Sequence, residues 1–358
     1  MTPAGTYPAR RDDVRLLMVD PETGAFAETR TTALPQLLRP ADLLVVNDAA
    51  TLPASLCGHD EHGQPIELRL LSAIDPDTRQ AASGHFWAAL LGAGDWRQRT
   101  EDRPAPPALR PGDRVWFGGL GGRIVARGEI SPRLVAIRFD VAGDHLWAAL
   151  YREGRPIQYS YLAHELPLWA VQTVYATRPW AFEMPSAGRP LSWELLLSLR
   201  RRGVRVAALT HAAGLSATGD TRLDAALPLP ERFEIPAATV EAIAETRRRA
   251  GRVIAVGTTV VRALEGAAAG RGLPSAGPGV TNLRIDQGFH LRVVDGILTG
   301  VHSPGESHFE LLDAFADTGL LLGAVRHAED AGFKTHELGD AMLVAPGMLP
   351  RTSSLARP

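Results

Sequence analysis

Cysteine is nearly absent: Cys57 is the only one in 358 residues. An internal disulfide and any zinc site built from several cysteines are therefore excluded, and no metal is expected. No apolar run approaches the length that spans a membrane. Met1 to Asp13 lacks the apolar stretch of a signal peptide. A cytoplasmic protein without membrane contact is the expectation. The formal net charge is only −2, so there is no global basic field to attract nucleic acid, although a local patch would suffice. No internal repeat is visible, and nothing in the sequence bears on oligomeric state. What is present is ordinary globular material, 45% hydrophobic and 22% charged, long enough for two domains.

One stretch, Arg252 to Glu265, carries the strongest local pattern. Val253 to Val256 is a short apolar run of buried-strand type. Gly257 permits a sharp turn. Thr258 and Thr259 offer hydroxyls where a helix would begin, and Val261, Leu264 and Ala268 recur at helical spacing. Strand, tight turn and helix in this order can seat an anion or a ribose at the helix start; an ordinary connection has the same outline.

Elsewhere, Arg15 to Asp20 and Ala25 to Thr31 read as a hairpin around Pro21–Gly24. Leu43 to Val46 is a buried-strand run closed by Asn47 and Asp48, which serve either a ligand or an Asx-turn. Between His59 and Leu150 short strand-like runs alternate with Gly and Pro turns, the pattern of a small β-barrel; Gly118–Gly122 reads there as a hairpin loop. Beyond Tyr151, strands and helices alternate. Gln172 to Ala176 reads as a strand. Ser192 caps a helix with Leu195, Leu196 and Leu199 inward. Val204 to Leu209 is a strand with Thr210 and His211 at its exit. Pro236 opens a helix whose Val240, Ile243 and Ala244 face inward. Gly266 to Gly279 reads as a flexible loop. Val293 to Leu298 carries the Asp-Gly hairpin signal. Ser303 to Glu306 reads as a capping box with Pro304 at the first helical position. Gly339 to Val344 closes as a strand. The expected fold is a discontinuous α/β domain, residues 1–58 and 151–358, with a β-barrel domain inserted at 59–150. If the strands are parallel neighbours, the polar exits at Asn47–Asp48, Thr210–His211, Thr258–Thr259 and His302 meet in one pocket.

These segments resemble one family over nearly the whole chain. Leu38 to Asp48, Gln172 to Ala176, Val253 to Glu265, Val294–Gly296, His302, Pro304 and Gly339 to Leu343 are similar, in order, to motifs of the S-adenosylmethionine:tRNA ribosyltransferase-isomerases of queuosine biosynthesis. The resemblance implies an α/β domain with an inserted barrel. It also implies S-adenosylmethionine as a ribosyl donor. The unit passes to the aminomethyl group of a deazaguanine in tRNA and rearranges to an epoxycyclopentane, while adenine and methionine leave. Such chemistry needs a general base beside the sulfonium, a donor near departing adenine and a seat for a carboxylate. By this resemblance Asn47, Asp48, Gly257, Thr258, Thr259, Arg262 and Asp340 are expected at the donor. Arg262 either reaches a carboxylate or pairs with Glu265 along the helix. His211, His302 and Glu231 are expected as catalytic residues, although each histidine is also readable as a structural one.

Several positions depart from the family pattern. Pro190 stands where the family has a histidine, and the Leu227–Glu231 segment keeps Glu231 but loses two more. Ser186, Gly188, Arg189, Glu306 and His308 occupy the altered loops and are expected to meet the substrate. Changes gathered at presumed chemistry leave three readings open: tRNA modification, ribosyl transfer to a small molecule or cleavage of S-adenosylmethionine, and a ligand-binding protein without catalysis.

Overall fold

A computed structural model of the chain describes residues 1–73, 83–268 and 272–349. Its largest sheet has, in spatial order, Gly277–Thr281, Glu231–Ile235, Arg205–His211, Leu43–Asn47, Val253–Val256, Gly296–Gly300, Ala341–Val344, Arg15–Asp20 and Ala25–Arg30. The central four, from Arg205–His211 to Gly296–Gly300, run parallel. The apolar runs of Leu43–Asn47 and Val253–Val256 are continuous because both faces are covered. Leu43, Val45, Val253 and Ala255 feed one core with Val260, Val261 and Leu264 of the Thr258–Ala267 helix. Leu44, Val46, Ile254 and Val256 alternate onto the other face, against Leu195 and Leu199 of the Trp193–Arg201 helix. That helix starts as its sequence predicts, with Ser192 Oγ accepting from the Leu195 N–H at 3.1 Å.

Two polar clamps align the parallel strands. Where they begin, buried Asp42 accepts from the Arg252 N–H at 2.9 Å, and its carboxylate meets the buried Arg252 guanidinium at 2.5 Å. Where they end, the Asn47 side chain acts as an extra peptide unit. Its Oδ1 accepts from the His211 N–H at 2.9 Å, and its Nδ2 donates to the His211 carbonyl at 3.0 Å. The ladder to Arg205–His211 thus continues past the last paired backbone, where Asn47 faces Leu209.

A second sheet is a closed six-stranded barrel of Leu120–Arg127, Leu134–Phe139, His85–Leu91, Pro65–Ala73, Ser55–Asp60 and Arg114–Phe117. Its first strand begins at Ser55, inside the segment that the sequence assigned to the α/β part. The Gly118–Gly119 turn forms the predicted hairpin, with Leu120 opposite Phe117. The Gly143–Glu153 helix buries Leu146, Ala149 and Leu150 in the barrel core.

Four expectations are corrected. Gln172 to Ala176 is not a strand. The Gln172 side chain occupies the Thr51 backbone instead, accepting from its N–H and donating to its carbonyl, each at 2.8 Å. Val293 to Leu298 is not a hairpin. Asp295 Oδ2 accepts from the Val253 N–H at 2.8 Å, and the strand starts at Gly296, parallel to Val253–Val256. Within the Gly266–Gly279 loop, residues 269–271 lie outside the described residues, and Gly277 already opens the edge strand Gly277–Thr281. Helix Ser307–Leu312 begins after Pro304, because Gly305 has φ +89°; only half of the box forms, Glu306 accepting from the Ser303 N–H at 3.2 Å.

Substituting Asp42→Ala leaves a buried guanidinium without its counter-charge, a loss of about 3–5 kcal/mol by analogy with other broken buried pairs. Urea unfolding of the variant should show a midpoint lowered accordingly; a loss below about 1 kcal/mol would mean that this clamp does not hold the strands.

Candidate functional site

The four parallel strands deliver their carboxyl ends to one side of the sheet, and there a cavity of about 580 Å³ opens. This lies within the range of about 300–1,000 Å³ that ligand pockets span. Glu231, Gly257, Thr258, Thr259, Arg262, His302, Glu306, His308 and Ser186 all line it. The convergence that the sequence made conditional on parallel neighbours is thus present for two of the four exits, Thr258–Thr259 and His302.

Gly257 makes the turn possible. Its φ is +92°, and a Cβ there would lie 3.3 Å from Ala187. Gly257, not a threonine, is the N-cap, and it supplies no side-chain acceptor to the first helical turn. Thr259 is instead fixed from below, its Oγ1 3.5 Å from Asn47 Nδ2. One turn further on, Arg262 Nη2 lies 2.6 Å from Glu231 Oε2. The pairing with Glu265 does not occur, because that carboxylate accepts the N–H groups of Arg292, Val293 and Val294 at 2.9–3.0 Å.

Behind Glu231 sits His211, with no exposed surface and no place in the cavity wall. Its Nε2 is 3.5 Å from Glu231 Oε2, and neither ring nitrogen has a hydrogen-bond partner among the described residues. Burial, reinforced by the Arg262 charge, pushes its pKa well below the usual imidazole value, so the ring is neutral. Burial pushes the Glu231 carboxyl upward, while Arg262 and the Gly214 N–H, 2.7 Å from Oε1, oppose that shift. On another wall His302 and His308 stack at 5.0 Å. Thr299 Oγ1 is 2.9 Å from His302 Nε2, and Glu306 is 3.8 Å from Nδ1. Burial lowers both imidazoles, His308 to about 4 and His302 well below the ordinary value. The wall therefore presents neutral rings.

The other expected residues lie away from the cavity wall. Asn47 spans strand ends as described. Asp48 Oδ1 accepts from the Thr210 hydroxyl at 2.6 Å. Asp340 receives the N–H groups of Arg15 at 3.1 Å and Lys334 at 2.8 Å, tying the sheet to the chain beyond it. A Cβ on Gly188 would lie 2.0 Å from the Tyr175 hydroxyl, so this glycine serves packing. Arg189 is buried, donates to the Ala170 carbonyl at 3.3 Å and lies over the Tyr7 ring at 5.3 Å. Its burial brings its pKa down to about 10.

Sequence reasoning missed part of the lining: Tyr159, Tyr161, Glu183, His336 and Glu337. Tyr159 donates to Glu183 and Tyr161 to Glu337. Burial raises both carboxyls, Glu337 to about 7. The one local signal was the alternation Tyr159-Ser160-Tyr161; the glutamates came from segments with no pattern of their own. The barrel backs this wall: Arg69, held at 2.7 Å by Glu67, has its guanidinium 5.5 Å from the Tyr159 ring.

A polar cavity beyond the carboxyl ends of parallel strands, holding buried carboxylates, neutral imidazoles and an arginine, marks the protein as an α/β enzyme. A family profile described as "Queuosine biosynthesis protein" matches residues 2–344. The chain is 37% identical over 341 residues to an S-adenosylmethionine:tRNA ribosyltransferase-isomerase from Gloeobacter violaceus, covering 94% of this chain and 90% of the relative. It is 35% identical to one from Anaeromyxobacter, with 93% of each covered. The crystal structure of S-adenosylmethionine tRNA ribosyltransferase from Thermotoga maritima shares the fold, with a TM-score of 0.51, 24% identity and 95% of each chain covered. The chain belongs to the queuosine biosynthesis family.

His211 should stay neutral from pH 8 to pH 5, which its imidazole proton shifts in NMR would report as no titration. Its folded pKa lies below the unfolded one. Stability is therefore full above the unfolded value, about 6.5, and falls as pH drops below it, because the unfolded chain binds the proton first. The fall due to this group is at most about 1.4 kcal/mol per pH unit. Its slope should be absent in His211→Gln, and an identical slope in both proteins would contradict the assignment.

Proposed function

We propose that the chain transfers the ribosyl unit of S-adenosylmethionine to the aminomethyl group of a deazaguanine in tRNA and rearranges it, with adenine and methionine leaving. The observation that carries this reading is the meeting of the family's Val253–Glu265 motif with Glu231 and His302 in one cavity. The names of the relatives support it.

In this reading the start of the Thr258–Ala267 helix and Arg262 seat the donor's carboxylate. Glu231 is the proton acceptor for the carbon beside the sulfonium. Its burial makes it more basic than a surface carboxylate, and its place in the wall lets it touch a ligand. His211 does not reach the ligand; it is a positioning residue behind Glu231. The neutral His302–His308 pair can offer an N–H to the departing adenine at no cost of an added buried charge. A second reading, with a small-molecule acceptor, is favoured by one observation. Ser186, Glu306 and His308, which stand in the loops that depart from the family pattern, line the cavity too.

Incubation with S-adenosylmethionine, with and without deazaguanine-modified tRNA, separates the readings by the release of adenine and methionine. Release only with tRNA is expected. Release without it favours the small-molecule reading, and binding without release means that catalysis is lost. Glu231→Gln should lower turnover by about 100-fold or more while calorimetry still detects S-adenosylmethionine binding. Turnover within a few-fold of wild type would remove Glu231 from the role of base.

A further inference from the structure

Three rings form a staircase along one side of the cavity. Tyr159 and Tyr161 stack at 5.9 Å with 17° between their planes, and Tyr161 and His336 at 4.5 Å with 20°. His336 is the last ring and is exposed. Its backbone takes φ +65°, a conformation rare for a residue with a Cβ. At the feet of the stack are two carboxylates, each receiving a tyrosine hydroxyl: Glu183 from Tyr159 and Glu337 from Tyr161. Among the described residues neither forms an ion pair with an arginine or lysine. All five side chains line the same cavity as Arg262 and Glu231.

An exposed ring at the end of a stack is a platform for a further flat ring, the way splayed-out bases are held on aromatic side chains. Carboxylates at its edge select what that ring carries. An ionised carboxylate only accepts hydrogen bonds. It matches two adjacent N–H donors, such as the ring N–H and exocyclic amine of a guanine-type edge. An adenine edge sets an acceptor nitrogen beside its amine and would face the carboxylate with a lone pair. We propose that His336, backed by Tyr161 and Tyr159, is the stacking platform for the acceptor base, a guanine-type heterocycle whose N–H edge is read by Glu337 and Glu183. This rests on the cavity being the transfer site and adds to it where the acceptor sits relative to the donor seat at Arg262. Burial raises the Glu337 carboxyl to about 7, and an N–H edge facing it favours its ionised form.

Two substitutions at His336 separate ring from backbone. His336→Asn removes the aromatic face but tolerates positive φ, and His336→Phe keeps the face and removes the nitrogens. Calorimetric binding of two probes, a free aminomethyl-deazaguanine base and S-adenosylmethionine, is measured for wild type and both variants. Steady-state turnover on modified tRNA is measured beside it. His336→Asn should weaken the base about tenfold and raise the KM for tRNA similarly, with S-adenosylmethionine binding unchanged and His336→Phe restoring the base. Glu337→Gln should weaken the base likewise. Loss of S-adenosylmethionine affinity with the base unaffected would assign the stack to the donor's adenine and overturn the proposal, as would no effect on either probe or failure of wild type to bind the base. Base binding that depends on His336 in a protein inactive on tRNA would leave the proposal standing and refute the transfer reading.

Discussion

The parallel alignment of Arg205–His211, Leu43–Asn47, Val253–Val256 and Gly296–Gly300 is the constraint on which the cavity depends. The strands contribute apolar burial and, at their carboxyl ends, polar chemistry. Burial holds the layers together but does not by itself bring strand ends level. The levelling is polar. At the starts, Asp42 grips both the backbone and the guanidinium of Arg252. At the ends, the Asn47 amide takes both backbone groups of His211 and reaches Thr259. A buried amide satisfied on both sides is costly to lose, since each orphaned partner carries its own desolvation penalty.

The electrostatics of the cavity follow from how deep each group lies. Glu231 stands between Arg262 in the wall and His211 behind the wall. Burial alone would neutralise the carboxyl, and Arg262 works against this. The same Arg262 charge and the same burial keep His211 neutral. His302 and His308 are neutral chiefly because they are buried. The cavity therefore concentrates its formal charge at Arg262 and Glu231, while burial favours the neutral form of Glu183 and Glu337, and the remainder is lined with uncharged donors and acceptors. Such an interior suits a substrate that carries its own charges.

What the sequence made legible was whatever is local. Continuous apolar runs ending in polar residues located the strands and their exits. Ser192 located a helix start, and Gly-Gly a barrel hairpin. Signals whose outcome depends on a distant partner misled. Asp295-Gly296 looks like a turn, yet Asp295 is taken by the Val253 backbone. Arg262 and Glu265 sit at pairing distance along one helix, yet each has a stronger partner elsewhere. Gln172 to Ala176 has strand composition, but the Gln172 side chain, not its backbone, meets Thr51. His211, at a strand's exit, was expected as a catalytic residue through the family motif, with a structural role as the alternative; in the fold it is fully buried behind Glu231 and has no place in the cavity wall. Tyr159, Glu183, His336 and Glu337 were not legible because they come from separate segments and meet only in the folded chain.

The spacing of the two clamps has a further consequence. Asp42 and Asn47 bound a single strand of five residues, and both act on the strands beside it. The segment between them is a ruler with fixed marks. Adding or deleting one residue would reverse the sides of the sheet to which Leu43–Val46 point and move one mark off its partner. A change of length within this strand therefore disturbs the cavity, whereas one in an outer loop leaves both clamps in register.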